Sequence, residues 1–247
     1  MRWRAWASAP RRRPPRVPDD VRIYAIGDVH GRADLLQRML SAIDRTLISY
    51  PVKNVVQVLL GDYIDRGPNS REVIETLVVR ARRHPMIYLK GNHESYAAQF
   101  LSEPSVLNEW TRFGGVNTLL SYGLRPPQGE DSNAQQRTAR EFRKALPESH
   151  RRFIHGLALS FSCGDFFFAH AGVRPGVPLS CQCEHDLLWI RDDFLLHEEQ
   201  FAKVIVHGHT PAKKPEVRVN RINIDTGAYA TGRLTCLVLQ GDRIAVI

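Results

Sequence analysis

Short apolar runs alternate with longer amphipathic segments over the first hundred residues. Residues 21–26, 55–60 and 86–89 are mostly apolar and short, which is typical of buried strands. Between these runs, apolar residues recur at helical spacing in residues 35–47 and 73–81. Because strand and helix alternate three times, the pattern predicts a parallel or mixed sheet whose functional residues lie at the carboxyl ends of the strands.

The chain changes character after about residue 97. Residues 97–157 are polar and mostly helical in pattern, and we interpret them as a helical insertion beside the site. Apolar strand patterns return at residues 166–169 and 204–206, and residues 216–224 and 235–247 read as two hairpins. We therefore predict an α/β (α+β) fold in which two mixed sheets pack together with helices outside.

The positive charge is concentrated at the amino terminus. Of the formal net charge of +8, six units come from arginines in residues 1–18, which leaves +2 for the rest of the chain. Residues 1–19 are rich in Arg and Pro and lack a hydrophobic period, so we predict a disordered tail followed by one catalytic domain over residues 20–247. The tail is either a solvated extension or a contact for nucleic acid. We expect no nucleic-acid binding by the rest of the chain.

Cysteine usage and hydropathy narrow the class of protein further. The four cysteines include no CxxC pair, and Cys181 and Cys183 are the only close pair, so we expect free thiols rather than a zinc site. No apolar run approaches the ~20 residues that a membrane helix needs, and residues 1–19 lack the apolar centre of a signal peptide. We therefore expect a cytoplasmic protein without membrane contact.

Polar side chains that can bind metal follow the predicted strands. Each stands within two residues of a glycine, which lets the backbone turn sharply, and the set comprises Asp28, His30, Asp62, Asn92, His170 and His209. Carboxylate and imidazole ligands suit manganese, iron or zinc, and six groups exceed the needs of one ion. A single strand-end Asp often caps a helix, and a single His such as His30 or His207 often serves as a satisfied polar group. The recurrence of the set instead predicts two divalent ions that share Asp62.

Two neighbouring metals suit one class of reaction. Ions ~3.5–4 Å apart can activate a water between them and stabilise the attacking and leaving oxygens of an in-line displacement. Hydrolysis of phosphate monoesters is among the slowest uncatalysed biological reactions, so it requires such an array of buried charge. The sequence thus predicts a metal-dependent phosphoesterase.

Five ordered motifs resemble those of the phosphoprotein phosphatase branch of the calcineurin-like metallophosphoesterases. They are GDVHG at 27–31, GDYIDRG at 61–67, GNHE at 91–94, HAG at 170–172 and GHT at 208–210. The resemblance covers the chain from about Val21 to its end. It implies a four-layered α/β sandwich with a binuclear centre in which manganese is the favoured metal.

The resemblance also implies a role for each site residue. Asp28, His30 and Asp62 would hold the first metal, and the second would be held by Asp62, Asn92, His170 and His209. His93 would protonate the leaving oxygen with Asp65 holding it in place, whereas Arg66 and Arg191 would bind the phosphate.

Two assignments have alternatives. Arg191 could instead form a surface ion pair with Asp192 or Asp193. Asp225 could support a metal-bound histidine, although we favour a role in the turn.

The substrate has three candidate classes. We expect a protein phosphatase that acts on phosphoserine, phosphothreonine or phosphotyrosine, because Asp65, Glu94 and Thr210-Pro211 resemble bacterial and phage phosphatases. The eukaryotic enzymes differ in the last two motifs. The alternative is a hydrolase of diadenosine tetraphosphate, a related enzyme whose corresponding motifs resemble GDLVARG, GNHD and GHW. The third candidate is a nucleic-acid-binding protein that uses the tail. Such a protein would be expected to lack one or more of the metal ligands, and this sequence contains all of them.

Overall fold

Eleven strands and ten α-helices make up the described part of the chain, which covers residues 3–5, 13–127, 129 and 131–247 of this computed structural model. The strands are β1 (Arg4–Ala5), β2 (Val21–Ile26), β3 (Asn54–Leu59), β4 (Met86–Tyr88), β5 (Ser160–Cys163), β6 (Phe166–Ala169), β7 (Val204–His207), β8 (Glu216–Val217), β9 (Arg221–Asn223), β10 (Cys236–Gln240) and β11 (Arg243–Val246). The helices are α1 (Ala33–Ser49), α2 (Ser70–Arg80), α3 (Asn92–Ser102), α4 (Leu107–Trp110), α5 (Val116–Ser121), α6 (Ser132–Ala145), α7 (Glu148–His155), α8 (Glu184–Trp189), α9 (Asp192–Leu195) and α10 (Ala228–Thr231).

The strands form two mixed sheets. The first has the order β1-β11-β10-β2-β3-β4, with β2, β3 and β4 parallel, and the second has the order β5-β6-β7-β9-β8, with β6, β7 and β9 parallel. Leu59 pairs with Ile26 on one side and with Tyr88 on the other. The three parallel strands therefore end side by side, and the loops that follow them meet at one edge of the sheet.

Apolar residues alternate between the two faces of each sheet and bury both. Ile23, Ala25 and Val58 of the first sheet pack against Phe166, Phe168 and other inward residues of the second. On the outer faces, α1, α2 and α3 cover the first sheet, and α8 and α9 cover the second. This order of helices, sheet, sheet and helices confirms the predicted four-layered fold.

The amino-terminal segment packs on the fold more than the sequence predicted. Val17 is fully buried between the sheets, and its backbone N–H donates to the carbonyl of Gly241 at 3.0 Å. β1 pairs with the edge strand β11. The predicted disordered tail is therefore wrong for residues 13–19, because the apolar side chain of Val17 can fill the core between the sheets. Residues 1, 2 and 6–12 of that prediction lie outside the described residues.

Helices α3 to α7 occupy the region that the sequence indicated as a helical insertion. Its first helix begins at Asn92, so residues 92–94 form a helical turn rather than a loop. Between α4 and α5 the backbone turns at Gly114, whose φ is 104°. A Cβ atom at Gly114 would lie 2.7 Å from the backbone nitrogen of Arg66, so only glycine permits this approach. The insertion thus contacts the loop after β3 directly.

Candidate metal centre

Asp62 lies at the centre of the convergent strand ends. Its Oδ2 atom is 3.4 Å from Nε2 of His30, and its Oδ1 atom is 3.4 Å from Nε2 of His170. Two groups of ligand atoms, each within 4.8 Å of one another, share this carboxylate, and they consist of His30, Asp62 and His93, and of Asp62, His170 and His209. Asp62 therefore lies where one carboxylate can contact two ions.

Asn92 completes the second group. Its Oδ1 atom lies 2.9 Å from Nε2 of His170 and 2.9 Å from Nδ1 of His209. His170 is oriented by a contact of 2.9 Å between its Nδ1 atom and the carbonyl of Leu60, so its Nε2 atom faces the centre. The structure thus brings together all four residues that the sequence assigned to the second metal.

Asp28 belongs to the same cluster through its other neighbours. Its Oδ2 atom accepts the backbone N–H of His209 at 2.9 Å, whereas its buried Oδ1 atom has no hydrogen-bond partner among the described residues. Burial, followed by the charges of Asp225 and Asp62, raises the pKa of Asp28 well above its ordinary value. A buried carboxylate without a counter-charge is costly, and a divalent cation would supply that charge.

Burial favours the neutral form of the three histidines that are predicted metal ligands. Burial lowers the pKa of His30 to about 3 and that of His209 to about 2, and it also lowers the pKa of His170. The neutral imidazole is the form that binds metal, and the Nε2 atom of His209 has no partner among the described residues. Carboxylates, neutral imidazoles and one amide oxygen fit divalent manganese, iron or zinc.

The backbone at the site is locally strained. Within the described residues, five non-glycine residues have a positive φ, and all belong to the predicted motifs: His30, Asp62, Asp65, Arg66 and His209. Such conformations cost roughly 1–3 kcal/mol each and persist only where the surroundings enforce them. The fold therefore maintains strained backbone conformations at this site, and these conformations set the directions of the side chains.

Glu94 enforces the conformation of the loop after β3. Its buried carboxylate accepts the backbone N–H groups of Asp62 at 2.9 Å, Tyr63 at 2.8 Å and Gly91 at 3.0 Å, and that of Ile64 at 3.3 Å. Sequence reasoning used Glu94 only as a family marker. A buried acid one turn into a helix could have indicated this role, since it must find donors.

We expect Glu94→Gln to lower the free energy of unfolding by about 2–3 kcal/mol. The amide NH₂ group of Gln would face backbone N–H groups that need an acceptor. Urea unfolding of the purified protein measures this change. Glu103→Gln, at the exposed carboxyl end of the same helix, is the matched control and should shift stability by less than ~0.5 kcal/mol. Equal, small effects of both substitutions would show that Glu94 does not stabilise the loop.

His93, the predicted acid, is held in place by Asp65. Its Nδ1 atom lies 2.7 Å from Oδ2 of Asp65, and its buried Nε2 atom has no partner among the described residues. Burial opposes the charged imidazolium, but the carboxylates of Asp62 and Asp65 outweigh burial and raise the pKa of His93. The side chain is within metal-ligand range of His30 and Asp62. Since Asp65 stabilises its protonated form, we retain the assignment as an acid.

The helical insertion supplies the support for Asp65. The indole N–H of Trp110 donates to Oδ2 of Asp65 at 2.8 Å, and the hydroxyl of Thr118 donates to Oδ1. Trp110 and Thr118 are fully buried. Sequence reasoning missed both residues, because nothing in their local pattern distinguishes them from core positions of a helix.

The two arginines predicted to bind phosphate differ in their surroundings. The backbone N–H of Arg66 donates to the carbonyl of Gly114 at 3.2 Å, and its carbonyl accepts from Asn117. Arg191 is exposed and forms no ion pair with Asp192 or Asp193; Asp193 instead pairs with Arg174 at 3.2 Å. The positive charge of Arg191 makes a small contribution to the lowered pKa of His170 and of His209, for which burial is the main cause.

Asp225 and His207 lie close to the centre without joining its ligand groups. The Oδ1 atom of Asp225 accepts the backbone N–H of Gly227 at 2.8 Å, which agrees with a turn residue. Burial raises the pKa of Asp225 to about 6. His207 is buried with its ring edge against Phe194, at 4.9 Å between ring centroids.

Residues 21–244 match the family model of the calcineurin-like phosphoesterases. The chain belongs to the calcineurin-like phosphoesterase family. It is therefore a metal-dependent phosphoesterase, a hydrolase that uses divalent metal ions, and the clustered His and Asp side chains agree with this class.

Comparison with individual proteins gives relatives of two kinds. The chain is 27% identical over 230 residues to the asymmetrical bis(5'-nucleosyl)-tetraphosphatase PrpE of Anoxybacillus flavithermus, covering 86% of this chain and 88% of the relative. A crystal structure provisionally named a diadenosine tetraphosphatase superposes with a TM-score of 0.59 at 19% identity, covering 95% of this chain and 98% of that one. The cold-active protein tyrosine phosphatase of a Shewanella species superposes with a TM-score of 0.56 at 16% identity, covering 94% and 80%.

Among the described residues, no helix is both long and apolar enough to cross a lipid bilayer.

Proposed function

We propose that this phosphoesterase hydrolyses dinucleoside polyphosphates, as a bis(5'-nucleosyl)-tetraphosphatase. The observation that carries the proposal is the similarity to the PrpE tetraphosphatase, which extends over 86% of this chain and 88% of the relative. An alignment of that extent covers most of the catalytic domain and is not confined to short motifs. This is the function that we gave as the alternative from sequence, and it is now the favoured one.

Two of the residues that favoured a protein phosphatase, Glu94 and Asp65, have structural roles within this site. Glu94 binds backbone N–H groups of the loop after β3, and Asp65 holds His93. Neither carboxylate is free for a substrate, because both are fully buried and hydrogen-bonded. Their identity therefore carries less information about the substrate than an alignment over the whole domain.

The side chains divide the work of hydrolysis among them. Bound divalent ions would activate water and polarise the phosphoryl oxygens. Arg66 and Arg191 would bind oxygens of the reacting phosphate, which matches the geometry of a guanidinium. The water oxygen forms a bond to phosphorus while the bridging P–O bond breaks, and His93 would donate its proton to the departing oxygen. Asymmetrical cleavage of a dinucleoside tetraphosphate yields a nucleoside triphosphate and a nucleoside monophosphate.

A protein phosphatase is the second candidate, and the support of His93 favours it. A serine or threonine alkoxide is a poor leaving group that requires protonation, whereas a departing polyphosphate requires it less. The bonds from Asp65 to His93 and from Trp110 to Asp65 build a well-held acid. Its partner would be a phosphoprotein rather than a nucleotide.

A comparison of substrates distinguishes the two candidates. The enzyme is supplied with manganese and given diadenosine tetraphosphate or phosphopeptides that bear phosphoserine, phosphothreonine or phosphotyrosine. We expect kcat/KM for the dinucleotide to exceed that for every peptide by at least about 100-fold, a difference of ~2.7 kcal/mol in transition-state binding. Anion-exchange chromatography should show ATP and AMP as products. Preference for a phosphopeptide would refute the proposal and support the second candidate.

We also propose manganese as the native metal, which the resemblance of the motifs favours. The ligand set of three imidazoles, two carboxylates and an amide oxygen suits manganese, iron and zinc alike. Metal-free enzyme titrated with manganese, iron(II) or zinc should recover most activity with manganese. Greater recovery with either of the other two metals would reject this assignment.

A further inference from the structure

The guanidinium of Arg66 is free to bind a ligand. Within the described residues it forms no hydrogen bond and no ion pair, although the backbone of Arg66 is fixed by Gly114 and Asn117. An arginine side chain has large rotamer freedom, so a free guanidinium on a fixed backbone would ordinarily sample many positions. Something must hold it if it is to bind phosphate in one geometry.

Tyr229 contacts this guanidinium. The Cζ atom of Arg66 lies 4.8 Å from the centroid of the Tyr229 ring, within the range of a cation–π interaction. The same ring meets His30 edge-on, with 5.4 Å between ring centroids. Tyr229 is 40% exposed, so burial alone does not explain its position beside a predicted metal ligand.

The segment that carries Tyr229 is itself anchored. Gly227 adopts a left-handed conformation with φ of 64° immediately before α10, and its N–H donates to Asp225. The Nη1 atom of Arg32 donates to the carbonyl of Ala228 at 3.1 Å. These contacts fix the backbone of Gly227 and Ala228, the two residues before Tyr229. The ring of Tyr229 is therefore held by a rigid turn.

We propose that Tyr229 is a positioning residue that holds the Arg66 guanidinium toward the reacting phosphate and thereby sets phosphate affinity. The proposal rests on the phosphate-binding role proposed for Arg66, but it does not depend on which phosphorylated substrate the enzyme uses. Tyr229 lies outside the five motifs, and only the tertiary structure places it against Arg66.

The test measures phosphate binding with a substrate that contains no nucleotide. For Tyr229→Ala we expect KM for p-nitrophenyl phosphate and the inhibition constant of inorganic phosphate to rise by about tenfold, which corresponds to ~1.4 kcal/mol. kcat should change by less than about twofold, because the metal ligands and His93 stay in place. A kcat loss without a change in either constant would overturn the proposal.

Two matched variants separate positioning from general packing. Tyr229→Phe keeps the ring face, so it should restore KM and the inhibition constant to within about twofold of the wild-type values. Tyr50→Ala removes a tyrosine of similar exposure, 57%, at the carboxyl end of α1 and should leave both constants unchanged. Failure of the Phe variant to restore the constants would reject the cation–π contact.

A double-mutant cycle decides whether Tyr229 acts through Arg66. In an Arg66→Met background, Tyr229→Ala should raise the inhibition constant of phosphate by less than about twofold further, because the group that it positions is gone. Additive effects would overturn the proposal. Metal content of each variant, measured by mass spectrometry, should equal that of the wild type. Loss of metal in Tyr229→Ala would overturn the proposal, because it would show that the ring supports the predicted ligand His30 rather than Arg66.

Discussion

Asp62→Asn should abolish metal-dependent hydrolysis, with a loss of at least about 10³-fold in kcat for p-nitrophenyl phosphate. Both candidate ligand groups share this carboxylate, and its two oxygens face different histidines. An amide offers only one oxygen, so it cannot bridge two ions, and one or both should be lost.

The measurement combines activity with metal content and folding. Asn has nearly the same shape as Asp, so the variant should keep the wild-type circular dichroism spectrum while binding fewer than two equivalents of manganese. Asp242→Asn, in the exposed turn between β10 and β11, should retain both activity and metal content. Chelation of the wild-type enzyme should reproduce the inactive state, and added manganese should reverse it. Near-wild-type turnover of Asp62→Asn would exclude a bridging role.

His93→Asn should lower kcat by about 10²–10⁴-fold for phosphate esters of simple alcohols. Burial opposes the charged form, but the carboxylates of Asp62 and Asp65 raise the pKa of His93. Its Nε2 atom has no hydrogen-bond partner among the described residues and is the one available to the substrate. An alkoxide leaves as a strong base and needs this proton. A p-nitrophenolate ion is a far weaker base, so loss of the acid should cost less than about tenfold with p-nitrophenyl phosphate.

The comparison between leaving groups is the decisive part of this experiment. Equal losses with both substrates would show that His93 acts as a metal ligand, a role that its distance from His30 and Asp62 permits. His155→Asn, at the exposed carboxyl end of α7, is the matched control and should alter neither rate. Metal content should remain at the wild-type level if His93 serves as the acid.

The two effects also bear on the choice of substrate. Diadenosine tetraphosphate has a phosphate leaving group, so its hydrolysis should depend on His93 less than that of a phosphoserine peptide. If the dinucleotide is the substrate, its rate should therefore fall less in His93→Asn than in Asp62→Asn. That difference links the geometry of the Asp65–His93 pair to the proposed function.

Local pattern was sufficient to predict most of the strands and the polar residues that the structure brings together at their ends. A strand buried on both faces must be an apolar run, and the loops after parallel strands must meet at one edge of the sheet. The sequence pattern alone therefore groups Asp28, Asp62 and Asn92. The four-layered arrangement followed from the resemblance of the motifs and is confirmed by the structure.

Tertiary structure alone decided which residues hold the ligands in place. Trp110 and Thr118 reach Asp65 from an insertion about 45–53 residues away along the chain, and Tyr229 reaches Arg66 from near the other end. The sequence likewise did not predict the burial of Val17, because one apolar residue in an Arg- and Pro-rich segment forms no periodic pattern. The sequence by itself determined the chemistry of the site, because ligand types and their glycines are local. Its positioning contacts are long-range, and no local pattern records them.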